Sequence, residues 1–225
     1  METKVRQFGV SDHDQYWRER KEASRTSEKR VHRFIVETIR EYFPNDGKVL
    51  DCGVGDAHTF RLCRKYNYET YGVEYSKEAI SWYEFPHDTI KQADLNDGIP
   101  DFGVKFDAIV ISMVLHWLRD PEDFLRKAAG SLSPRGRLFV NIPNITNYKF
   151  RIGFLFGKFP TVSLSHKNFQ TPIECEQMFR AAGYAIERMA PTKTSLKARL
   201  WPRLFGSDIL YVLKPLAAGN GAGTA

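Results

Sequence analysis

Between residues 49 and 60 the chain reads VLDCGVGDAHTF: an apolar run, an acid at Asp51, then Gly53 and Gly55 in a turn that lets backbone lie against a ligand. About twenty residues on, Gly72-Val73-Glu74 sets a second carboxylate where the hydroxyls of a ribose can donate to it. A dinucleotide fingerprint wants a third glycine at position 58, which is His58, and a P-loop wants a Gly-Lys-Ser/Thr that is absent. The spacing therefore favours a ribose without pyrophosphate, and Asp51 favours a ligand with positive charge. Two histidines are candidate general bases, His116 after the apolar run that ends at Ser112 and His166 in SLSHKNFQT. His116 has two other readings, stacking near a ligand or packing under a helix, and His166 has a structural role in its loop as its alternative. No helix-spaced His/Glu pair or Cys/His set points to a metal. Cys52, Cys63 and Cys175 lack ligand spacing and read as small buried hydrophobes in a reducing compartment.

Elements must hold these residues in place. A helix is expected over 28–43, with Val31, Phe34, Ile35, Ile39 and Tyr42 on one face and Pro44-Asn45-Asp46-Gly47 as its stop. Strands are expected at 48–53, 69–75, 89–95, 106–112 and 136–143, with helices at 58–66, 76–84 and 121–132 between them. Regular alternation implies a parallel sheet with right-handed crossovers and helices on both faces, and near-continuous apolar runs such as AIVIS suit doubly covered strands. The pattern breaks over 145–170 and resumes with a helix at 173–183 and strands at 184–190 and 208–214. Since no helix is apparent between those last two strands, they are expected as an antiparallel pair closing the sheet edge. The domain is expected over 28–215, with 1–27 as an arm or lid, 145–170 as a substrate-side insertion and 216–225 as a disordered tail.

Of 225 residues 42% are hydrophobic and 13% aromatic, and no apolar run reaches the roughly 18 residues of a membrane span. The charged first residues do not read as a secretory signal, so the cytoplasm is the expected compartment. The net charge of +6 is concentrated late: residues 145–225 hold eleven Lys or Arg against four Asp or Glu. An anionic substrate, an anionic membrane surface, nucleic acid or simply a solvated basic face would each account for it. KFRIGFLFGKF and KTSLKARLWPRLFG mix cations with large apolar residues, as do membrane-interface helices, grips for a lipid-linked anionic acceptor, and core helices with snorkelling cations. Nucleic acid is the weakest of these partners, because no appended RNA-binding module is visible.

Val49-Leu50-Asp51-Cys52-Gly53-Val54-Gly55, Glu74, Ala93-Asp94-Leu95, Phe106-Asp107-Ala108-Ile109-Val110, Leu115 to Pro121 and Leu132 to Leu138 come in an order that resembles the class I S-adenosylmethionine-dependent methyltransferases. The resemblance covers residues 30 to 214. It implies a Rossmann-like, seven-stranded, mostly parallel sheet with its last strand antiparallel, and S-adenosylmethionine as cofactor. It implies cofactor contacts from Asp51, Cys52, Gly53, Gly55, Glu74, Tyr75, Asp94, Leu95 and Ser112, with Asp94 on the adenine amino group and Asp97 its neighbouring competitor. Ala57 and Arg135 depart from it, each standing where a glycine is usual. Acceptor-side contacts are expected from Tyr16, Trp17, Trp117, Asn141, Asn144 and Tyr148; Trp117 reads equally as core, and Tyr16 and Trp17 as a lid. Displacement of a methyl group from a sulfonium needs alignment and exclusion of water, not a metal or covalent nucleophile. The succession from Ile142 to Tyr184 is similar to a subgroup that includes the MetW type and glycan-cluster methyltransferases. That likeness implies a small-molecule or glycan acceptor, and oxygen is the expected accepting atom. The MetW type also implies an alternative, a non-catalytic or regulatory partner of another enzyme, and an RNA or protein methyltransferase is the third reading.

Overall fold

The structure is a computed structural model, and it describes residues 14, 17–18, 30–84, 88–157, 170–193 and 195–216. Helix α1 (Arg30–Tyr42) buries Ile35, Val36 and Ile39, and Val31, Phe34 and Tyr42 pack beside them. The chain then enters β1 (Lys48–Cys52), α2 (His58–Lys65), β2 (Glu69–Glu74), the single turn α3 (Lys77–Ile80) and β3 (Ile90–Gln92). It continues through β4 (Phe106–Ser112), α4 (Pro121–Ala128), β5 (Leu132–Pro143), α5 (Tyr148–Leu155), α6 (Pro172–Ala181), β6 (Tyr184–Pro191), α7 (Leu196–Leu200), α8 (Pro202–Phe205) and β7 (Asp208–Pro215).

The sheet runs β3-β2-β1-β4-β5-β7-β6. Every pairing from β3 to β5 is parallel, and β7 is antiparallel to both of its neighbours. Successive strand residues point to opposite faces, so each strand feeds two cores. Val49, Ala108, Val110 and Val212 pack with α1 and α2, while Leu50, Ile109, Ile111 and Tyr211 pack with α4 and α6. This is the seven-stranded, Rossmann-like arrangement the resemblance implied.

Three local expectations are corrected. The helix expected over 76–84 shrinks to one turn, capped by the Ser76 hydroxyl on the Ala79 amide. The helix expected to 132 ends at Ala128, and β5 starts at Leu132 rather than 136. The cause lies in Asp107, which accepts from the Ser133 hydroxyl and the Arg135 guanidinium at 2.8 Å each and from the Lys48 amide at 3.0 Å. Those bonds hold the extra residues of a register shift between Phe106↔Leu132 and Ala108↔Arg137. A Cβ on Gly136 would lie 2.7 Å from the Phe106 carbonyl oxygen, so only glycine passes there. Burial alone would raise the Asp107 carboxyl, but Arg135, Lys48 and Ser133 together hold it below the usual range. Finally, β6 and β7 are not joined without a helix: α7, capped by Ser195, and α8, opened by Pro202, lie between them. β7 turns back inside β6, leaving β6 at the edge.

Candidate functional site

Strand order reverses between β1 and β4, and in such sheets the crevice at the carboxyl ends of the strands there takes the ligand. The glycine turn leaves β1 at that edge. Gly53 and Gly55 have φ of +78° and +55°, and a Cβ on Gly53 would meet Val114 at 2.6 Å. Ala57 stands in the same left-handed region at φ 60°, fully buried. It makes no side-chain cap for α2; Asp51 does so instead, accepting the Phe60 amide.

Glu74 ends β2 with its carboxylate fixed from three directions. Oε2 accepts the Gly55 amide at 2.8 Å, and Oε1 accepts the Tyr75 and Ser76 amides at 2.9 Å each. It is therefore aimed at the glycine turn before any ligand arrives. An ionised carboxylate offers about four acceptor positions, so receiving both hydroxyls of a ribose would require one amide bond to be given up. Burial raises the Glu74 carboxyl, the three amides opposing. Asp51 is pushed well above the usual range by burial and then by the charges of Asp56 and Glu74. Two buried acids beside a glycine turn suit a cationic, hydroxyl-bearing ligand.

Asp94 caps the turn Leu95–Asp97 by accepting the Asn96 amide at 2.8 Å, and Leu95 is buried while Asp97 is exposed. Cys52 is wholly buried, and Tyr75 is half-buried with its carbonyl accepting Gln92. Ser112 ends β4 opposite Asn141 of β5, whose side-chain amide donates to the Ser112 hydroxyl at 3.3 Å. The Asn141 Oδ1 atom is buried and takes no hydrogen bond among the described residues. An unmet acceptor of this kind costs about 1–3 kcal/mol, and its place at the strand ends is an observation a bound molecule would explain. Met113 follows with φ 58°, a strained conformation for a side chain of its size. His116 lies buried in the next turn, its ring 5.7 Å from that of Trp117.

The remaining expected residues divide. Trp17 sits against the glycine turn, with its ring 3.0 Å from where a Gly55 Cβ would be and 5.6 Å from the Trp82 ring. The Ser76 hydroxyl donates to Asp14 at 2.5 Å, so Asp14 meets the same edge. Asn144 is fully buried with its amide spent inside the fold: it donates to the Arg203 and Gly206 carbonyls and accepts from Thr146. Tyr148 opens α5, its ring 5.3 Å from that of Phe205. Tyr16 and His166 lie outside the described residues, as do most of the 1–27 arm, residues 158–169 of the expected insertion, and the tail after Leu216. Sequence reasoning passed over the triad of Glu176, Arg203 and Tyr211, whose members are distant in sequence and show no local pattern. Arg203 donates to Glu176 at 2.6 and 3.1 Å and the Tyr211 hydroxyl donates at 3.0 Å. The three free cysteines are buried, and burial raises each thiol.

Residues 16–188 match the family described as "Methyltransferase domain", and the chain belongs to it. Family and fold together are those of a class I methyltransferase domain. Among curated relatives, the chain is 28% identical over 120 residues to a ubiquinone biosynthesis O-methyltransferase of Xanthomonas axonopodis pv. citri, covering 49% of each. The chain spans less than half the length of the curated relatives it matches. Among solved structures, an S-adenosylmethionine-dependent methyltransferase from Clostridium acetobutylicum superposes with a TM-score of 0.62 at 15% identity, over 93% of this chain and 100% of that one. A Burkholderia thailandensis 1,6-didemethyltoxoflavin-N1-methyltransferase, solved with bound 1,6-didemethyltoxoflavin and S-adenosylhomocysteine, gives a TM-score of 0.63 at 14% identity over 92% of this chain and 87% of that one. Likeness at these identities establishes the fold.

Proposed function

We propose that this chain transfers a methyl group from S-adenosylmethionine to a hydroxyl of a small-molecule or glycan acceptor. The observation that carries the donor side is Glu74, held by three backbone amides beside the glycine turn at the strand switch point. The sulfonium supplies an electrophilic methyl group; binding, orientation and proton removal fall to the chain. Glu74 accepts ribose hydroxyls, Asp94 the adenine amino group, and Gly53, Gly55, Cys52, Tyr75, Leu95 and Ser112 shape the pocket. Trp17, with Tyr16 beside it in sequence, closes over the turn as a lid. On the acceptor side His116 takes the hydroxyl proton, with His166 as the second candidate, and the unmet Asn141 Oδ1 orients the acceptor through a donor group. Trp117 and Tyr148 wall that side, and Asn144 holds it in place from within. The relative named for O-methyl transfer in ubiquinone biosynthesis supports oxygen as the accepting atom. The buried free thiols suit the reducing cytoplasm.

Calorimetry with S-adenosylhomocysteine tests the donor side, and labelled S-adenosylmethionine with fractionated lysate tests the acceptor. Label is expected in the small-molecule or glycan fraction; label only in protein or RNA overturns the acceptor class. His116→Gln is expected to lower kcat by about 10²–10⁴-fold and to flatten its rise with pH, with S-adenosylhomocysteine affinity kept. A kcat within threefold of the parent removes His116 from the role.

Asp51 adds a pH signature. In the bare fold its raised carboxyl binds more protons than the unfolded chain does, from about pH 3.9 up to its folded value, so its contribution to stability falls as pH rises through that window. A cation nearby favours the ionised form, so S-adenosylmethionine expels a proton and binds more weakly as pH falls. Calorimetry over a series of pH values above about 3.9, each in two buffers of different ionisation enthalpy, is expected to show a pH window with more proton release for S-adenosylmethionine than for neutral-sulfur S-adenosylhomocysteine. Asp51→Asn should erase that difference; equal release in the parent would sink the assignment.

A further inference from the structure

We propose that the outer face of α5, α7 and α8 is a docking surface for an acidic phospholipid bilayer, which presents the acceptor at the mouth of the site. The location rests on strand direction. α5 follows Pro143 at the end of β5, and α7 and α8 lead into Asp208 of β7, which pairs with Pro143. β5 runs parallel to β4 and β4 to β1, so these helices cap the same sheet edge that carries the glycine turn.

The packing of α5 and α7 is inverted relative to a water-facing surface. In α7 the buried residue is Ala198, while Leu196 and Leu200, one helical turn apart, are 73% and 59% exposed. α5 buries none of its residues, and its Tyr148, Ile152 and Leu155 form an outward stripe at i, i+4 and i+7 that Phe156 extends. Leu155 is 83% and Phe156 75% exposed. The two patches are continuous: Tyr148 stacks near Phe205, and Phe205 lies 6.3 Å from the exposed Trp201. Such a patch on a soluble protein marks an interaction surface.

Charge selects the occupant. Residues 145–173 carry four Lys or Arg and residues 188–207 carry five, with no Asp or Glu in either stretch. Lys149, Arg151, Lys197 and Arg199 are exposed among the apolar side chains. Lys and Arg beside Leu, Phe and Trp on short helices match the boundary between anionic headgroups and acyl chains, where the apolar groups insert and the cations meet phosphate. The helices are held to the body by Asn144 and Asn147 on the Gly206 carbonyl and by Arg203 on Glu176, so the face is presented on a fixed frame. The claim that the docked face carries the acceptor mouth rests on the methyltransferase reading; the docking itself does not.

Flotation of the full chain with phosphatidylglycerol–phosphatidylcholine vesicles is expected to carry it upward, with at least tenfold less bound to pure phosphatidylcholine and less again at high salt. Lys197→Gln with Arg199→Gln should weaken binding by about fivefold for each cation removed. Leu155→Asp with Leu200→Asp, both at exposed positions, should abolish it. Circular dichroism and S-adenosylhomocysteine affinity are expected to stay unchanged in both variants. Parent protein that ignores acidic vesicles while binding S-adenosylhomocysteine overturns the docking surface alone. Vesicle binding without S-adenosylhomocysteine binding sustains the surface and overturns the methyltransferase reading. A face buried by self-association, shown by a dimer in sedimentation that Leu155→Asp dissociates, also overturns the proposal.

Discussion

Replacing Glu74 with glutamine is expected to cost S-adenosylhomocysteine about a hundredfold or more in affinity. The carboxylate accepts three backbone amides with no donor of its own. A glutamine must turn its NH2 toward the Gly55 amide or toward those of Tyr75 and Ser76, so a donor faces a donor and the turn is pushed from its position. The ribose then loses charge-assisted bonds worth about 1.5–3 kcal/mol each, and two of them give a hundredfold or more. The fold should lose less, about 1–3 kcal/mol for the misplaced amide, so circular dichroism separates a folded variant with a silent calorimetric trace from an unfolded one. Glu74→Asp keeps the charge but retracts it by one methylene, and an intermediate loss is expected. An affinity for Glu74→Gln within threefold of the parent would remove Glu74 from the site.

The turn beside Glu74 was legible because its constraint is local. At Gly53 and Gly55 the backbone enters the left-handed region, and a Cβ on Gly72 would lie 2.5 Å from Val54. Glycine meets those conditions without a Cβ penalty, so residue type reports geometry directly. The sheet was legible for a similar reason, since doubly covered strands announce themselves as unbroken apolar runs. Ala57 shows the limit: buried at φ 60°, it does with a methyl group what glycine does more easily, and it reads as a departure although the turn keeps its shape. Arg135 looks anomalous in sequence for a different reason. Its partner Asp107 is 28 residues away, and nothing in the local pattern of SLSPRGRL signals that the chain folds back to meet it. Asn144 is subtler, because an asparagine at a strand end reads as a ligand contact until its hydrogen bonds are counted and found to be spent within the fold. The antiparallel return of β7 was legible, but the helices before it were not, since Ser195 and Pro202 start segments only five and four residues long.

Arg203→Met is expected to lower the melting temperature by about 6–12 °C, and Glu176→Gln by clearly less. Glu176 is buried on α6, while the Arg203 side chain is half in water on α8. Truncating Arg203 strands a buried carboxylate with the Tyr211 hydroxyl as its one remaining donor among the described residues. Breaking a buried pair in this way costs about 3–5 kcal/mol, and the lower end applies because Arg203 is itself partly solvated. About 3 kcal/mol corresponds to the stated shift in a domain of this size. Glu176→Gln leaves an acceptor for Tyr211 and returns Arg203 to water, so little is stranded. The order of the two effects, Arg203 above Glu176, follows from which partner is buried, and a count of lost hydrogen bonds would not produce it. The double variant Arg203→Met, Glu176→Gln should therefore recover most of the loss, a coupling that a double-mutant cycle measures. Because α8 runs directly into Gly206, whose carbonyl Asn144 and Asn147 hold, the single variant should also raise KM for the acceptor while S-adenosylhomocysteine affinity stays within threefold. A shift below about 2 °C for Arg203→Met, or a double variant less stable than it, would show that the pair does not anchor the helices over the acceptor side.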